Sequence, residues 1–136
     1  MNLSEKNKIK LKKLGVGIVY LFGSRAAGKA LKYSDYDIGV VFLHFLKSTK
    51  TSLFTSIYNI LSEEFPDNIN GPKLDISFLQ QANAALEIKA ISEGIVLFET
   101  NPKFRADYET EVIKRYDDYR FIQQNYEEAT FAAFAK

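Results

Sequence analysis

Apolar residues in this chain fall into two rhythms, short continuous runs and helical repeats, which alternate from one end to the other. The runs VGIVYLF (16–22), DYDIGVVF (35–42), KLDISFL (73–79) and IVLFE (95–99) are rich in β-branched and aromatic residues, and each predicts a strand. Between the second and third runs, Leu53, Phe54, Ile57, Tyr58, Leu61 and Phe65 recur at helical spacing within 48–65, where Ser48 is placed to cap. The segment 83–94 predicts a helix closed by Gly94. Asn101-Pro102 opens a long helical segment, 103–130, carrying Tyr108, Val112, Tyr116, Tyr119, Ile122 and Tyr126. Near the start, Ser4 suits the cap of a helix ending at Gly15, although Lys8 to Leu11 also alternates as a strand would; the helix is the preferred reading. A short helix over 24–31 is expected to open from the end of the first strand, and 66–72 reads as a turn-rich connection. Alternating strands and helices, without repeats or an interdomain linker, predict one α/β (α+β) domain over 1–136. Its core is a small mixed sheet of about four to five strands flanked by helices.

Composition narrows what such a domain does. With 136 residues, 46% hydrophobic and 14% aromatic, the chain has enough apolar material for a packed interior and does not read as disordered. A formal charge of +1 counts against a protein whose main task is gripping nucleic acid, so no strong nucleic-acid binding is expected. The absence of cysteine excludes disulfides, thiolate metal sites and a cysteine nucleophile. The charged opening MNLSEKNKIKLKKLG lacks the apolar stretch of a secretory signal, and no apolar run approaches the ~18 residues that span a bilayer. A cytoplasmic protein with no membrane partner is the expectation. Lys6, Lys8, Lys10, Lys12 and Lys13 read as a solvated helix face, and the lone His44 has no matching nucleophile or base. The C-terminal aromatics, ending in ATFAAFAK, suit either the core or a partner surface.

The chemistry concentrates in LFGSRAAGKALKYSDYDIGVVF (21–42). Asp35 and Asp37 lie two apart, so on a strand their carboxylates leave the same face about 6.5–7 Å apart. Two such charges repel and raise each other's pKa unless a cation stands between them, and hard oxygen donors suit magnesium or manganese. Alone, D-x-D also describes a solvated turn before a strand. Gly23-Ser24 changes its weight, because a small turn after a strand lets backbone N–H groups and a hydroxyl approach phosphate. Asp75 interrupts the third apolar run, with Leu74, Ile76 and Phe78 directed the other way. If that strand lies beside Asp35 and Asp37, the carboxylates converge. Three carboxylates can hold two metal ions, and Asp75 can accept the proton of an attacking hydroxyl. Arg25 follows the glycine turn and is a candidate phosphate contact, equally readable as a surface arginine.

Gly23, Ser24, ten residues, then Asp35 and Asp37 closely resembles the signature of the minimal nucleotidyltransferases (MNT) of the polymerase-β-like superfamily. Asp75 matches that family's downstream carboxylate, and the resemblance extends through AALEIKAISEGIVLFE and YETEVIKRYDDYRF, nearly the whole chain. It implies transfer of a nucleoside monophosphate, usually AMP from ATP, to an acceptor hydroxyl. It also implies Mg2+, two ions or else Mn2+, held by Asp35, Asp37 and Asp75, with nucleotide contacts at Gly23, Ser24 and Arg25. Many stand-alone MNT proteins resemble antitoxins paired with HEPN-domain RNases, whose tyrosine they adenylylate. The expected function is therefore AMP transfer to a HEPN-type toxin. The alternatives are an antitoxin acting by binding alone and a small-molecule transferase similar to those acting on aminoglycosides. The chain departs from the common GSRARG form, with Ala27 in the place of the second arginine and Tyr36 between the aspartates, so a basic triphosphate contact is missing or comes from Lys29 or Lys32.

Overall fold

The computed structural model describes residues 2–32, 34–44 and 51–134. Helix α1 (Glu5–Lys13) starts where the sequence places it, with the Ser4 hydroxyl accepting from the Asn7 N–H. Strand β1 (Val16–Phe22) is buried along its whole length and runs centrally through the domain. Strand β2 (Tyr36–Phe42) pairs antiparallel with β1. Helix α2 (Thr51–Glu64) leads through a 3-10 turn, Pro66–Ile69, into β3 (Leu74–Phe78), which pairs parallel with β2. Helix α3 (Ala84–Glu93) has Asn83 as its cap and gives way at Gly94 to β4 (Ile95–Glu99), antiparallel to β1 on the other side. Helix α4 (Pro102–Phe134) closes the fold, with Pro102 at its first turn and the Asn101 side chain accepting from the Lys103 N–H. The sheet order is β3-β2-β1-β4, a four-stranded mixed sheet.

Pleating divides the core between two faces. One buries Val19, Leu21, Ile38, Val40, Leu74 and Phe78 under Leu11 of α1 and Ile57 and Leu61 of α2. The other buries Ile18, Tyr20, Phe22 and Val41 under Ala90 of α3 and Tyr108 and Val112 of α4. Helices α1 and α2 are joined through Glu64, which accepts hydrogen bonds from the Ser4 N–H, the Ser4 hydroxyl and the Asn7 amide. On the opposite face the fully buried Glu87 accepts from the Tyr108 hydroxyl at 2.7 Å and pairs with Arg115 at 3.1 Å. This carboxylate ties the first half of α4 to α3. Beyond Val112, α4 exposes Ile113 and Phe121. No helix among the described residues is long and apolar enough to cross a membrane.

The helix expected over 24–31 is not formed. A single 3-10 turn, Gly23–Arg25, follows β1, and the chain then loops to β2. Gly28 at φ +72° and the anchoring of Arg25 to the far end of the loop both work against helix continuation. The expected cap Ser48 lies outside the described residues, as do the side chains of Tyr119, Ile122 and 130–136.

Candidate active site

The functional candidates gather at one end of the sheet, where β1 finishes and β2 and β3 begin. Asp37 and Asp75 occupy partnered positions across the parallel β2–β3 ladder. Adjacent strands lie about 4.8 Å apart, so the two carboxylates are held as neighbours by backbone hydrogen bonding rather than by side-chain choice. Alternation puts Asp37 on the face shared with Gly39 and Val41, the face covered by α3 and α4. Asp37 is half-buried while Asp35 and Asp75 are exposed. Burial pushes the Asp37 carboxyl above the usual aspartate range, the Asp75 charge adds to this, and Asp35 contributes a smaller push. The charge of Lys89, on α3, pulls it back down.

Asp35 stands just before the strand, and its carboxylate accepts from the Lys73 N–H at 3.3 Å. That bond ties Asp35 to the residue preceding β3. Among the described residues no three acidic or histidine side chains are gathered closely enough to hold a metal ion. The donor chemistry nevertheless fits a hard divalent cation, because two carboxylates are held side by side across the ladder and repel each other, and Asp35 is one pleat away.

Gly23 is the first half of the turn at the end of β1, with φ +72°. A side chain there would collide with the Asp37 carboxylate. The glycine therefore serves two ends: it takes a left-handed conformation, and it lets the backbone lie directly against Asp37. Ser24 follows in the same turn, half-buried. Three residues of 3-10 turn carry little macrodipole, so any attraction for phosphate rests on close backbone approach and the Ser24 hydroxyl.

Arg25, a candidate phosphate contact equally readable as a surface arginine, is engaged by the loop that follows it. Its guanidinium donates to the Ser34 carbonyl at 2.9 and 3.1 Å and to the Lys32 carbonyl at 3.2 Å, and it stacks 4.4 Å over the Tyr36 ring. Tyr36 belongs to the α1/α2 face, where it packs on Phe65 and donates to Asp67 at 2.8 Å. Arg25 thus braces Lys32 and Ser34 of the loop from the side of the sheet opposite to Asp37.

Two residues escaped sequence reading. Lys89 sits in a helix whose pattern shows only an exposed lysine, and its relation to Asp37 arises from how α3 lies on the sheet. Glu87 carries no sequence signal of burial, because its partners, Tyr108 and Arg115, lie on a later helix.

The model of the family described as Polymerase beta, Nucleotidyltransferase matches residues 5–103, from α1 to the start of α4. Comparison with the curated proteins finds no match by sequence. Among solved structures, a toxin–antitoxin complex with AMP-PNP is similar at 20% identity, covering 94% of this chain and 99% of that one, with a TM-score of 0.66. The complex of a tri-AMPylated Shewanella oneidensis HEPN toxin with an MNT antitoxin is similar at 18% identity over 93% and 98% of the two chains, with a TM-score of 0.60. A chain of the MntA-HepT toxin–antitoxin complex is similar at 19% identity over 94% and 99%, with a TM-score of 0.58. At these identities the structures establish a shared fold, and the family model covers well over half of the sequence. The chain belongs to the polymerase-beta nucleotidyltransferase family.

Proposed function

We propose that this protein transfers AMP from ATP to a tyrosine hydroxyl of a HEPN-type RNase toxin and thereby serves as the antitoxin of a toxin–antitoxin pair. The observation that carries the reading is the Asp37–Asp75 pair in register beside the side-chain-free surface of Gly23. Family membership supports the reaction class, and structural neighbours captured with a HEPN toxin and with AMP-PNP support the partner and the nucleotide.

In this reading Gly23 lets a triphosphate lie against the backbone, and the Ser24 hydroxyl donates to a phosphate oxygen. Asp35, Asp37 and Asp75 would hold Mg2+, or Mn2+, which when bound neutralises phosphate charge and favours ionisation of the acceptor hydroxyl. The acceptor oxygen attacks the α-phosphorus while the Asp75 carboxylate takes its proton. The bond from the α-phosphorus to the bridging oxygen breaks, pyrophosphate leaves with that electron pair, and the acceptor carries AMP as a phosphodiester. Asp37, the more buried of the pair, fixes the position at which the charge must be matched.

Intact mass of the co-purified HEPN partner tests the reading. After incubation with ATP and magnesium the partner should gain whole AMP increments, and Asp37→Ala or Asp75→Ala should abolish them. Equal modification by these variants would overturn the mechanism. A fully inhibited partner of unchanged mass would assign neutralisation to binding alone.

A further inference from the structure

The site has a fixed order across the end of the sheet. The Gly23 turn closes β1 and lies against Asp37 of β2, and Asp75 of β3 follows in register with Asp37. Among the described residues no strand lies beyond β3, so Asp75 stands on an outer strand. In-line displacement at the α-phosphorus puts the attacking oxygen and the leaving pyrophosphate on opposite sides of it. With the outer phosphates at Gly23 and Ser24 and the α-phosphorus over the Asp37–Asp75 pair, the attacking hydroxyl enters from the outer side, across β3. That edge also offers backbone groups. The Lys73 carbonyl accepts from the Tyr36 N–H at 2.9 Å, so by alternation Lys73, Asp75 and Ser77 turn their backbone groups toward β2, while Leu74 and Ile76 turn theirs outward. Outward N–H and C=O groups on an edge are a template for a further strand. Beside them lies a groove of about 290 Å³, lined by Phe54, Ile76, Ser77, Phe78, Gln81 and Ala82. Ile76 and Ser77 belong to opposite faces of the sheet, so a groove lined by both follows the edge itself. Phe54 of α2, exposed, forms one wall with its ring 5.8 Å from that of Phe78.

We infer that the tyrosine-bearing segment of the acceptor protein docks in extended form along the outer edge of β3, as a further strand that delivers its hydroxyl to Asp75. The inference rests on the nucleotidyl-transfer reading and names the surface on which that reaction receives its acceptor. Continuity of the edge with the site identifies the occupant: the strand that carries the proton-accepting carboxylate is the one whose outer backbone groups face away from the sheet. A tyrosine opposite Asp75 shares its face and lies one strand spacing away, about 4.8 Å. The residue three positions along, about 10 Å, comes opposite Phe78 and points to the other face, toward Phe54. The acceptor segment therefore carries an apolar side chain three residues from its tyrosine. Main-chain bonds supply affinity, and the groove at Phe54 supplies selection.

Residue-resolved amide exchange tests this in the complex with the co-purified HEPN partner, held before transfer by magnesium and α,β-methylene ATP, whose bridge does not break. On complex formation exchange should slow about ten-fold or more at Leu74 and Ile76, and less than about two-fold at Asp75 and Ser77, which already bond to β2. With ATP, Phe54→Glu should raise KM for the partner about ten-fold or more and leave kcat within about two-fold, as expected for losing a groove anchor. Phe54→Leu should recover most of that loss. Because Phe54 is exposed, nucleotide affinity and melting temperature of the glutamate variant should stay near wild type, separating lost docking from lost fold. Equal slowing at all four amides overturns the docked strand, as does an unchanged KM in Phe54→Glu. Unchanged exchange at Leu74 and Ile76 with a partner that gains AMP overturns it too, and leaves transfer standing. Alternating protection with a partner that gains no AMP from ATP refutes transfer and leaves the docked strand standing.

Discussion

Replacing Asp37 by asparagine should make the ligand-free protein more stable at neutral pH while abolishing transfer. The carboxylate is half-buried and opposes Asp75 in the parallel ladder, and its raised pKa states that burial and repulsion outweigh the attraction of Lys89. Two unit charges about 5 Å apart repel by about 3 kcal/mol at an effective dielectric of 20 and by about 0.8 kcal/mol in a water-like medium. Asp75 is exposed, which favours the lower end, so about 1 kcal/mol is the expected gain. For a domain of 136 residues this raises the melting temperature by about 3–4 °C. The sign with pH follows from linkage. A carboxyl whose folded pKa is raised destabilises the fold fully above that raised value, and the penalty fades as pH falls toward the ordinary aspartate range. Thermal melts of wild type and Asp37→Asn between neutral and mildly acidic pH should therefore converge on acidification. Added magnesium should raise the wild-type melting temperature more than that of the variant. A variant that melts at or below wild type at neutral pH, or a difference that persists in acid, would refute the account of a charge conflict awaiting a cation.

Gly23→Ala forces a side chain onto the Asp37 carboxylate at a left-handed backbone position, and should cost about 1–3 kcal/mol in denaturant unfolding together with transfer activity; an active variant of wild-type stability contradicts the close-approach role. Tyr108→Phe removes one donor from the buried Glu87 and should cost about 1–3 kcal/mol, measured by urea midpoint, with nucleotide affinity unchanged because the pair lies between α3 and α4. Arg25→Ala releases the Ser34 and Lys32 carbonyls and uncovers the Tyr36 ring, so amide exchange over 26–32 and at Ser34 should accelerate. If instead the loop stays protected and only ATP affinity falls, Arg25 is a phosphate contact after all.

Much of this architecture was readable from residue order. Strands and helices sit within a few residues of where the apolar rhythms put them, because each has a local cause: Ser4 and Asn83 cap their helices, Gly94 ends one, and Pro102 opens another. The candidate carboxylates were likewise visible as charges interrupting apolar strands. What the order of residues does not carry is the pairing. That β3 returns parallel to β2, with Asp75 opposite Asp37 and not shifted by one residue, depends on the crossover through α2 and on the side chains of Leu74 and Phe78 entering the same core as Ile38 and Val40. A one-residue slip would have turned Asp75 into that core, so hydrophobic burial sets the electrostatics of the site.

The same reasoning explains why the cations were harder to place than the carboxylates. An aspartate is short, and its position on a strand nearly determines where its charge lies. Arginine and lysine reach several ångströms from the backbone, and their direction is decided by what they find there. Arg25 finds two carbonyls and an aromatic ring, all supplied by the loop and by Tyr36, so adjacency to Gly23-Ser24 in sequence does not put its charge on the carboxylate face. Lys89 lies more than sixty residues away in sequence, yet α3 ends at the strand that pairs with Leu21, bringing its charge to Asp37. What matters to a polyanionic ligand is which elements meet at the end of β1, and α3 is one of them.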